Sequence, residues 1–505
     1  MKQLARIVAL VLPVLLLTLS AWAQDEKPIR PSITPEPYDV SIRALSTLNT
    51  SDNDFAPLLL GNGRVMYFTS DRNGDQNIFS AVQGSGNWEQ AQEAGPSLNT
   101  SGDEGGTTIT PDGHWMVFTG CDRPDSFGDC DLYIAEYIGG SWRNVKNLGT
   151  NVNSPSWDSQ PTISPDGMIL FFSSERPGGS GGTDLWMSSR PYGGEWKQAV
   201  NLGRIVNTAG DELAPSVAAD NKTLYFSSDM HPGIGGQDVY RTKNAGGGWS
   251  SPQHMGTPIN SEYDDYFCSL KLNSDDMYFA SNRSGGSGDL DIYLAIPNPL
   301  PPGAVTTVVG TVTDSQSKTP LGATLTVRDI QSNEILSSFQ SDAVDGDYVA
   351  VLQPGKTYVI TAEAPGYLFY SDRFEVPTDS KNTSVRKDIA MTRDIVRLLV
   401  YFDFDKATLQ PASEVDLNRA VDWLKANPTV KVELAGHTDN VGAKDYNRKL
   451  SLDRAQAVMD YLVSKGVSPP RLRAQGLGMD EPITTNDTEE GRGMNRRVEF
   501  RVVSR

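Results

Sequence analysis

The chain has 505 residues, enough for about three domains at about 100–200 residues each. Hydrophobic residues make up 38% and charged residues 21%, a balance that suits globular domains and excludes a collagen-like or largely disordered chain. The formal charge is −19, and residues 394–505 hold seventeen basic and seventeen acidic side chains, so the excess acid lies upstream and argues against nucleic-acid binding.

The chain starts with Lys2 and Arg6, then the apolar run "IVALVLPVLLLTL", then "AWA" before Gln24. This is the pattern of a cleavable secretory leader over residues 1–23. The run is short for a bilayer span and no second long run follows, so no membrane span is expected after cleavage. Residues 24–37 read as a linker.

Residues 38–299 repeat. Each unit has a turn, a short strand with an apolar pair such as Phe171–Phe172 or Tyr225–Phe226, a Gly-rich or polar turn, and a second strand such as Leu185–Trp186. Trp88, Trp142, Trp196 and Trp249 then mark a further strand, and Asn99, Asn153, Asn207 and Asn260 close the units. Short strands at a fixed period predict an all-β propeller, with five repeats giving five blades. The fifth repeat lacks its Trp strand, whereas "VSIRALSTLN" near the start ends in Asn49 and matches one. The ring is therefore expected to close through one blade built from both ends. These lines resemble the WD-like repeat of bacterial periplasmic proteins, the kind found in the Tol system, which implies a fold but no activity.

Three features of this region invite chemistry. Asp103, Asp158, Asp211 and Asp264 follow each closing Asn, and "DRNGDQN" starts like a calcium loop, but its twelfth position is Val82. These acids are read as structural loop contacts, and neither a metal nor a cofactor is expected. "GGSGG" at Gly178–Gly182 matches a nucleophile elbow in letters only, because it sits at a hairpin tip with no following helix. Cys121 and Cys130 bracket "DRPDSFGD", a spacing expected to form a disulfide in an exported protein, and Cys268 is expected to be a buried thiol.

"PNPLPPG" at Pro297–Gly303 reads as a stiff linker. Residues 304–392 carry short alternating strands between turn residues and predict a small β-sandwich. "GTVTD…TPLGATLTV…YVITAEAPGY" resembles the carboxypeptidase regulatory-like, transthyretin-type sandwich, which implies a spacer without peptidase residues.

Residues 394–505 read as α/β. "PASEVDLNRAVDWLKANP" predicts a helix with Val415, Ala420, Val421 and Leu424 inward. "AKDYNRKLSLDRAQAVMDYLVSKG" predicts a longer one with Leu450, Ala457, Val458, Tyr461 and Leu462 as core. Asn447, Leu450 and Arg454 share a face of that helix. Asp439 leaves the preceding strand, so an acid and a fork-shaped base face one region. Taken alone, the pair reads equally as a salt bridge or as a clamp for a zwitterion. His437 and Asp439 lack a nucleophile or metal partner, so acid–base catalysis is not expected.

"YFDFD", "GHTDN.G", "YN..LS..RA..V..YL" and "GR..NRRVEF" resemble the OmpA-like peptidoglycan-binding domain. The resemblance implies that Asp439 holds the ammonium and Arg454 the carboxylate of the diaminopimelate in the peptidoglycan stem peptide. It also implies that Thr438, Asn447, Leu450 and Arg497 line the pocket, with Phe404 and Asp405 at its edge. The expectation is a non-enzymatic periplasmic protein of a Gram-negative envelope, associated with cell wall and outer membrane, with the propeller offered to envelope proteins. The domain combination also resembles periplasmic components of the type IX secretion system. A propeller hydrolase lacks its nucleophile and base here, and strands such as "VMYFTS" are short for an outer-membrane barrel.

Overall fold

The computed structural model describes residues 29–504 except 62, 192, 331–333, 381, 399, 401, 403 and 404. The leader expected over residues 1–23 lies outside the described residues. No described helix is long and apolar enough to cross a membrane.

Residues 41–296 form five four-stranded antiparallel sheets. Their first strands are Asp54–Leu59, Glu104–Ile109, Asp158–Ile163, Glu212–Val217 and Asp265–Leu270. Each first strand contacts the next one, and the fifth contacts the first, so the sheets form a closed ring. Five apolar clusters hold the ring, one between each adjacent pair of sheets. Tyr67 and Ile78 pack with Phe118 and Trp142 between the first and second, and Leu45 and Leu48 pack with Phe68 and Ile292 between the fifth and first. Burying one such side chain contributes about 1.5–3 kcal/mol.

The last sheet draws on both ends of this region. Ser41–Ala44 pairs antiparallel with Asp291–Ile296, with Ser41 opposite Ile296. The recurrent asparagines have a common physical role. Asn99 accepts from the Ile78 N–H at 2.9 Å and donates to the Ile78 carbonyl at 3.0 Å. Asn153, Asn207 and Asn260 do the same at Leu132, Leu185 and Val239. Asn49 clamps Ile292 in this way, 243 residues away in sequence.

Other parts of the repeat differ from the sequence reading. Only Trp142 lies within a fourth strand, Ser141–Asn147. Trp88, Trp196 and Trp249 precede two-residue strands, and like Trp142 they pack between neighbouring sheets. The acids after each asparagine are of two kinds. Asp103, Asp211 and Asp264 accept backbone N–H groups from the preceding sheet's hairpin. Asp158 instead starts its strand, fully buried, and pairs with Arg176 as Asp54 pairs with Arg72 and Asp265 with Arg283. Each first strand also carries a bulge at a residue with positive φ: Ala56, Gly106, Gln160, Ala214 and Phe267.

Cys121 and Cys130 occupy paired positions on adjacent strands and are joined by a disulfide, while Cys268 is free and buried. Thiol counting on the denatured, unreduced protein should find one reactive thiol; three would contradict the bridge.

Neither linker is free. Residues 30–37 dock on the fourth sheet through bridges Ser32–Gly233 and Pro37–Thr257, because Arg30 finds six oxygen acceptors there. The proline-rich segment after residue 296 packs on the ring, with Leu300 buried and the Tyr225 hydroxyl donating to its carbonyl at 2.6 Å.

Two further four-stranded sheets follow, centred on Thr306–Asp314 and on Thr324–Asp329 paired with Thr357–Glu363, and they share one core. This unit touches the ring through Gln340 N–H to Asp112 at 3.2 Å and Asn273 to Thr307 at 2.6 Å. Its boundary with the last domain is not clean. Leu368 and Phe369 belong to the last domain's core, and Ser371 donates to Asp416 at 2.7 Å.

The last domain has the sheet order Ile395–Leu398, Val498–Ser504, Lys431–His437, Leu472–Gly478, covered by α1 (Glu414–Ala426) and α2 (Lys444–Ser464). In α1, Leu417 rather than Val415 joins Ala420, Val421 and Leu424 in the core, which keeps an i, i+3, i+4, i+7 stripe. In α2 the buried apolar residues are Ala455, Val458 and Leu462, whereas Leu450, Ala457 and Tyr461 are half-buried. A third helix, α3 (Glu489–Asn495), precedes the last strand.

Candidate functional site

The site forms where strand Lys431–His437 ends beneath the N-terminal half of α2. Two glycines allow the helix this close. A Cβ on Gly436 would lie 2.0 Å from the Ser451 carbonyl oxygen, and one on Gly476 would lie 2.5 Å from that of Arg448. Thr438 continues from the strand, its N–H donating to Gly478 and its hydroxyl to the Asp439 carbonyl, at 2.8 and 2.9 Å. Asn447 donates to the Val441 carbonyl at 3.0 Å and so pins the loop that carries Asp439.

Asp439 and Arg454 are each under a tenth exposed. No ion pair joins them among the described residues. Asp439 instead accepts from Arg496 at 2.7 Å through Oδ2 and from the Val441 N–H at 3.0 Å through Oδ1. Arg454 stacks over the Phe402 ring at 5.0 Å, and its Nε donates to the Lys406 carbonyl at 3.1 Å. Its two Nη atoms have no protein acceptor among the described residues. Burial, with the positive charge of Arg496 second, pushes the Arg454 pKa below its ordinary value. A guanidinium held in this way gains from a carboxylate that fills the open side of its fork.

Around this pair, Leu450 is half-buried on the same face of α2. Asp405 has positive φ and accepts from the Tyr446 hydroxyl, which ties the site's edge to α2. Phe404 lies outside the described residues.

Arg497 is placed differently from the pocket-lining expectation. It is buried, its Nε donates to Glu499 at 2.6 Å, and its Nη2 donates to the Glu481 carbonyl at 3.0 Å. The residue that reaches Asp439 is its neighbour Arg496, which caps the C-terminal end of α3 before the last strand begins at Val498. Hydrogen bonds to Asp439 and Glu489 outweigh the burial that would lower the Arg496 pKa, and raise it. The motif "NRRVEF" contains both arginines, but nothing in it tells which of them turns inward to Asp439.

Behind the site, His437 is buried with its Nε2 3.6 Å from Glu499, and Arg501 also pairs with Glu499 at 2.6 Å. Burial alone would raise the Glu499 pKa, but the nearby His437 ring and hydrogen bonds from Arg501 and Arg497 bring it down from 4.5 to about 2. A depressed carboxylate contributes stability above its unfolded value and loses it as pH falls through the folded one. The last domain should therefore weaken between about pH 4.5 and about pH 2. Glu499→Gln should be less stable at neutral pH and converge with the wild type at the acid end. Circular dichroism at the helix band checks this in the full chain, because all described α-helices lie in this domain. Parallel melting curves across that range would contradict the assignment.

Residues 401–496 match the OmpA family. Over 107 residues the chain is 47% identical to Outer membrane porin F of Pseudomonas fluorescens, covering 21% of this chain and 33% of that protein. Over 103 residues it is 47% identical to Peptidoglycan-binding protein ArfA of Mycobacterium tuberculosis (strain ATCC 25618 / H37Rv), covering 20% and 32%. The chain thus spans about a third of the length of these curated relatives. Among solved structures, TolB from Acinetobacter baumannii matches at 18% identity and a TM-score of 0.32, over 48% of this chain and 54% of that one.

Proposed function

We propose that this chain, which carries a C-terminal OmpA family domain, is a non-enzymatic envelope protein that holds peptidoglycan non-covalently through Asp439 and Arg454. Its ligand is the free head of diaminopimelate in the stem peptide. The ammonium goes to Asp439 and the carboxylate to the Arg454 fork, with Thr438, Asn447 and Leu450 shaping the walls. The observation that carries this reading is Arg454 itself, a buried guanidinium whose single protein acceptor among the described residues is the Lys406 carbonyl. A carboxylate is the group whose geometry completes it. The match to a relative named as peptidoglycan-binding supports the same assignment.

The ring of five sheets is read as a five-bladed propeller offered to an envelope protein, and the sandwich as the spacer between ring and wall. The protein is placed in the periplasm, beside the cell wall and outer membrane.

The experiment is co-sedimentation of the full chain with purified sacculi. Diaminopimelate in solution should compete. Sacculi with lysine at the third stem position should bind at least about tenfold more weakly, because lysine ends in an ammonium without the carboxylate. Equal pelleting with both kinds of sacculus would overturn the reading.

A further inference from the structure

Arg30 reveals what one hairpin of the ring can hold. In the fourth sheet its Nη2 forms an ion pair with Asp238 at 2.7 Å and donates to the Tyr240 hydroxyl at 2.8 Å and to the Ser228 carbonyl at 3.0 Å. Its Nε and Nη1 reach the carbonyls of His231, Gly235 and Gly236 at 2.6–2.9 Å. The guanidinium passes so close to the loop that a Cβ on Gly233 would lie 2.1 Å from Nη2.

The fifth sheet repeats this hairpin residue for residue. "SSDMHPGIGGQDVY" at 227–240 aligns without a gap on "ASNRSGGSGDLDIY" at 280–293, so Gly286, Asp291 and Tyr293 stand where Gly233, Asp238 and Tyr240 do. The loops are built alike. Asp238 accepts the N–H groups of Ile234 and Gly235 at 2.8 and 3.2 Å, and Asp291 those of Ser287 and Gly288 at 2.6 and 3.2 Å.

They differ in what fills them. Asp291 is 1% exposed and Tyr293 5% exposed. Among the described residues the Tyr293 hydroxyl has no hydrogen-bond partner, whereas the Tyr240 hydroxyl accepts from Arg30, and Oδ1 is unpartnered in Asp291 as it is in Asp238. Buried polar atoms of this kind cost stability unless something satisfies them. Among the described residues no cation pairs with Asp291. The nearby Arg283 is committed to Asp265 and to the carbonyls of Pro258 and Ile259.

The other hairpins lack the arrangement. In the third sheet Trp186 takes the tyrosine's place and offers a donor that a guanidinium cannot use. In the second, Ser126 replaces the glycine and the Tyr133 hydroxyl is engaged by Ser126 and Asp125.

We propose that the Ser281–Asp291 hairpin with Tyr293 is a receptor for an arginine side chain presented by an extended segment of a partner protein. In the fourth sheet the segment Arg30–Pro37 runs from Gly233 to Thr257. By sequence register the corresponding positions on the fifth sheet are Gly286 and Ser46, which precedes Asn49 as Thr257 precedes Asn260. The upstream excess of acid favours a basic partner. This deepens the reading of the ring as an interaction surface and rests on it.

The test uses the full-length protein and a fluorescent peptide with the sequence Ile29–Pro37, against a copy with citrulline for arginine. The arginine peptide should bind at least about tenfold more tightly, since charge-assisted bonds to a carboxylate are lost in citrulline. Asp291→Asn should weaken it to a similar degree. Tyr293→Phe should weaken it several-fold while leaving the melting temperature unchanged or higher, because it deletes a hydroxyl without a partner. Binding that ignores the arginine, or that survives both substitutions, overturns the proposal and leaves the pocket to an ordered water. Loss in Asp238→Asn alone also overturns it, since the peptide would then be displacing Arg30. Pelleting with sacculi should be the same for Tyr293→Phe and wild type, so failure here and failure of the wall anchor are read separately.

Discussion

Arg454→Ala and Asp439→Ala should each abolish pelleting with sacculi at concentrations where the wild type binds. Truncating one partner of a desolvated charge pair costs about 2–5 kcal/mol, which weakens binding at least about thirtyfold. Arg454→Lys should recover part of it, because a point charge cannot engage both carboxylate oxygens in the plane of a fork. The two alanine variants test the fold differently. Asp439→Ala leaves Arg496 paired with Glu489, so the loop keeps its other contacts. Arg454→Ala removes a buried side chain stacked on Phe402 and leaves the Lys406 carbonyl without its donor. The helix signal in circular dichroism must therefore accompany the pelleting result. A folded Arg454→Ala or Asp439→Ala protein that pellets like wild type would sink the clamp.

Deleting Tyr38–Asn49 should open the ring. The deletion removes the Ser41–Ala44 strand from Asp291–Ile296, takes Leu45 and Leu48 from the cluster between the fifth and first sheets, and strips both hydrogen bonds that Asn49 makes to Ile292. Two buried leucines alone contribute about 3–6 kcal/mol on the usual area scale. The exposed edge would also present unpaired backbone groups to other chains. The expected outcome is aggregation or rapid proteolysis of the ring. Asn49→Ala is the milder test, and it should lower the melting temperature by several degrees, like Asn99→Ala, since each leaves a buried backbone N–H, of Ile292 or of Ile78, unpaired. A monomeric, protease-resistant deletion would mean that the ring closes without this segment.

The repeat and the last domain were legible because their signals are periodic or densely spaced. Five apolar pairs fix strand positions, the tryptophans mark the packing between sheets, and the asparagines mark the clamp that the fold uses at Asn49. Other features leave no such trace. The five bulges fall on Ala56, Gly106, Gln160, Ala214 and Phe267, of which only one is the glycine expected at positive φ. The conformation there is imposed by the ring rather than by the residue. Arg30 is a lone arginine in a proline-rich stretch, so its six acceptors, assembled by a hairpin about 200 residues away, are invisible to local pattern. At the candidate site, where α3 ends decides between Arg496 and Arg497, because Arg496 caps the helix and the strand begins only at Val498. In the helices the apolar stripe is set two residues from the sequence reading, with Leu417 and Ala455 in the core instead of Val415 and Ala457.

The exit of the chain from the ring has a mechanical consequence. The segment leading to the last domain continues from Asp291–Ile296, which is hydrogen-bonded to Ser41–Ala44 on one side and to Met277–Ser281 on the other. A tug arriving from the far end of the molecule along that strand loads both ladders in shear, with many bonds sharing the force at once. Had the chain left from an outermost strand, the same tug would peel one ladder, bond by bond. Once the contacts of Leu300 and of the sandwich with the ring give way, tension from the last domain enters the ring at a strand with neighbours on both sides.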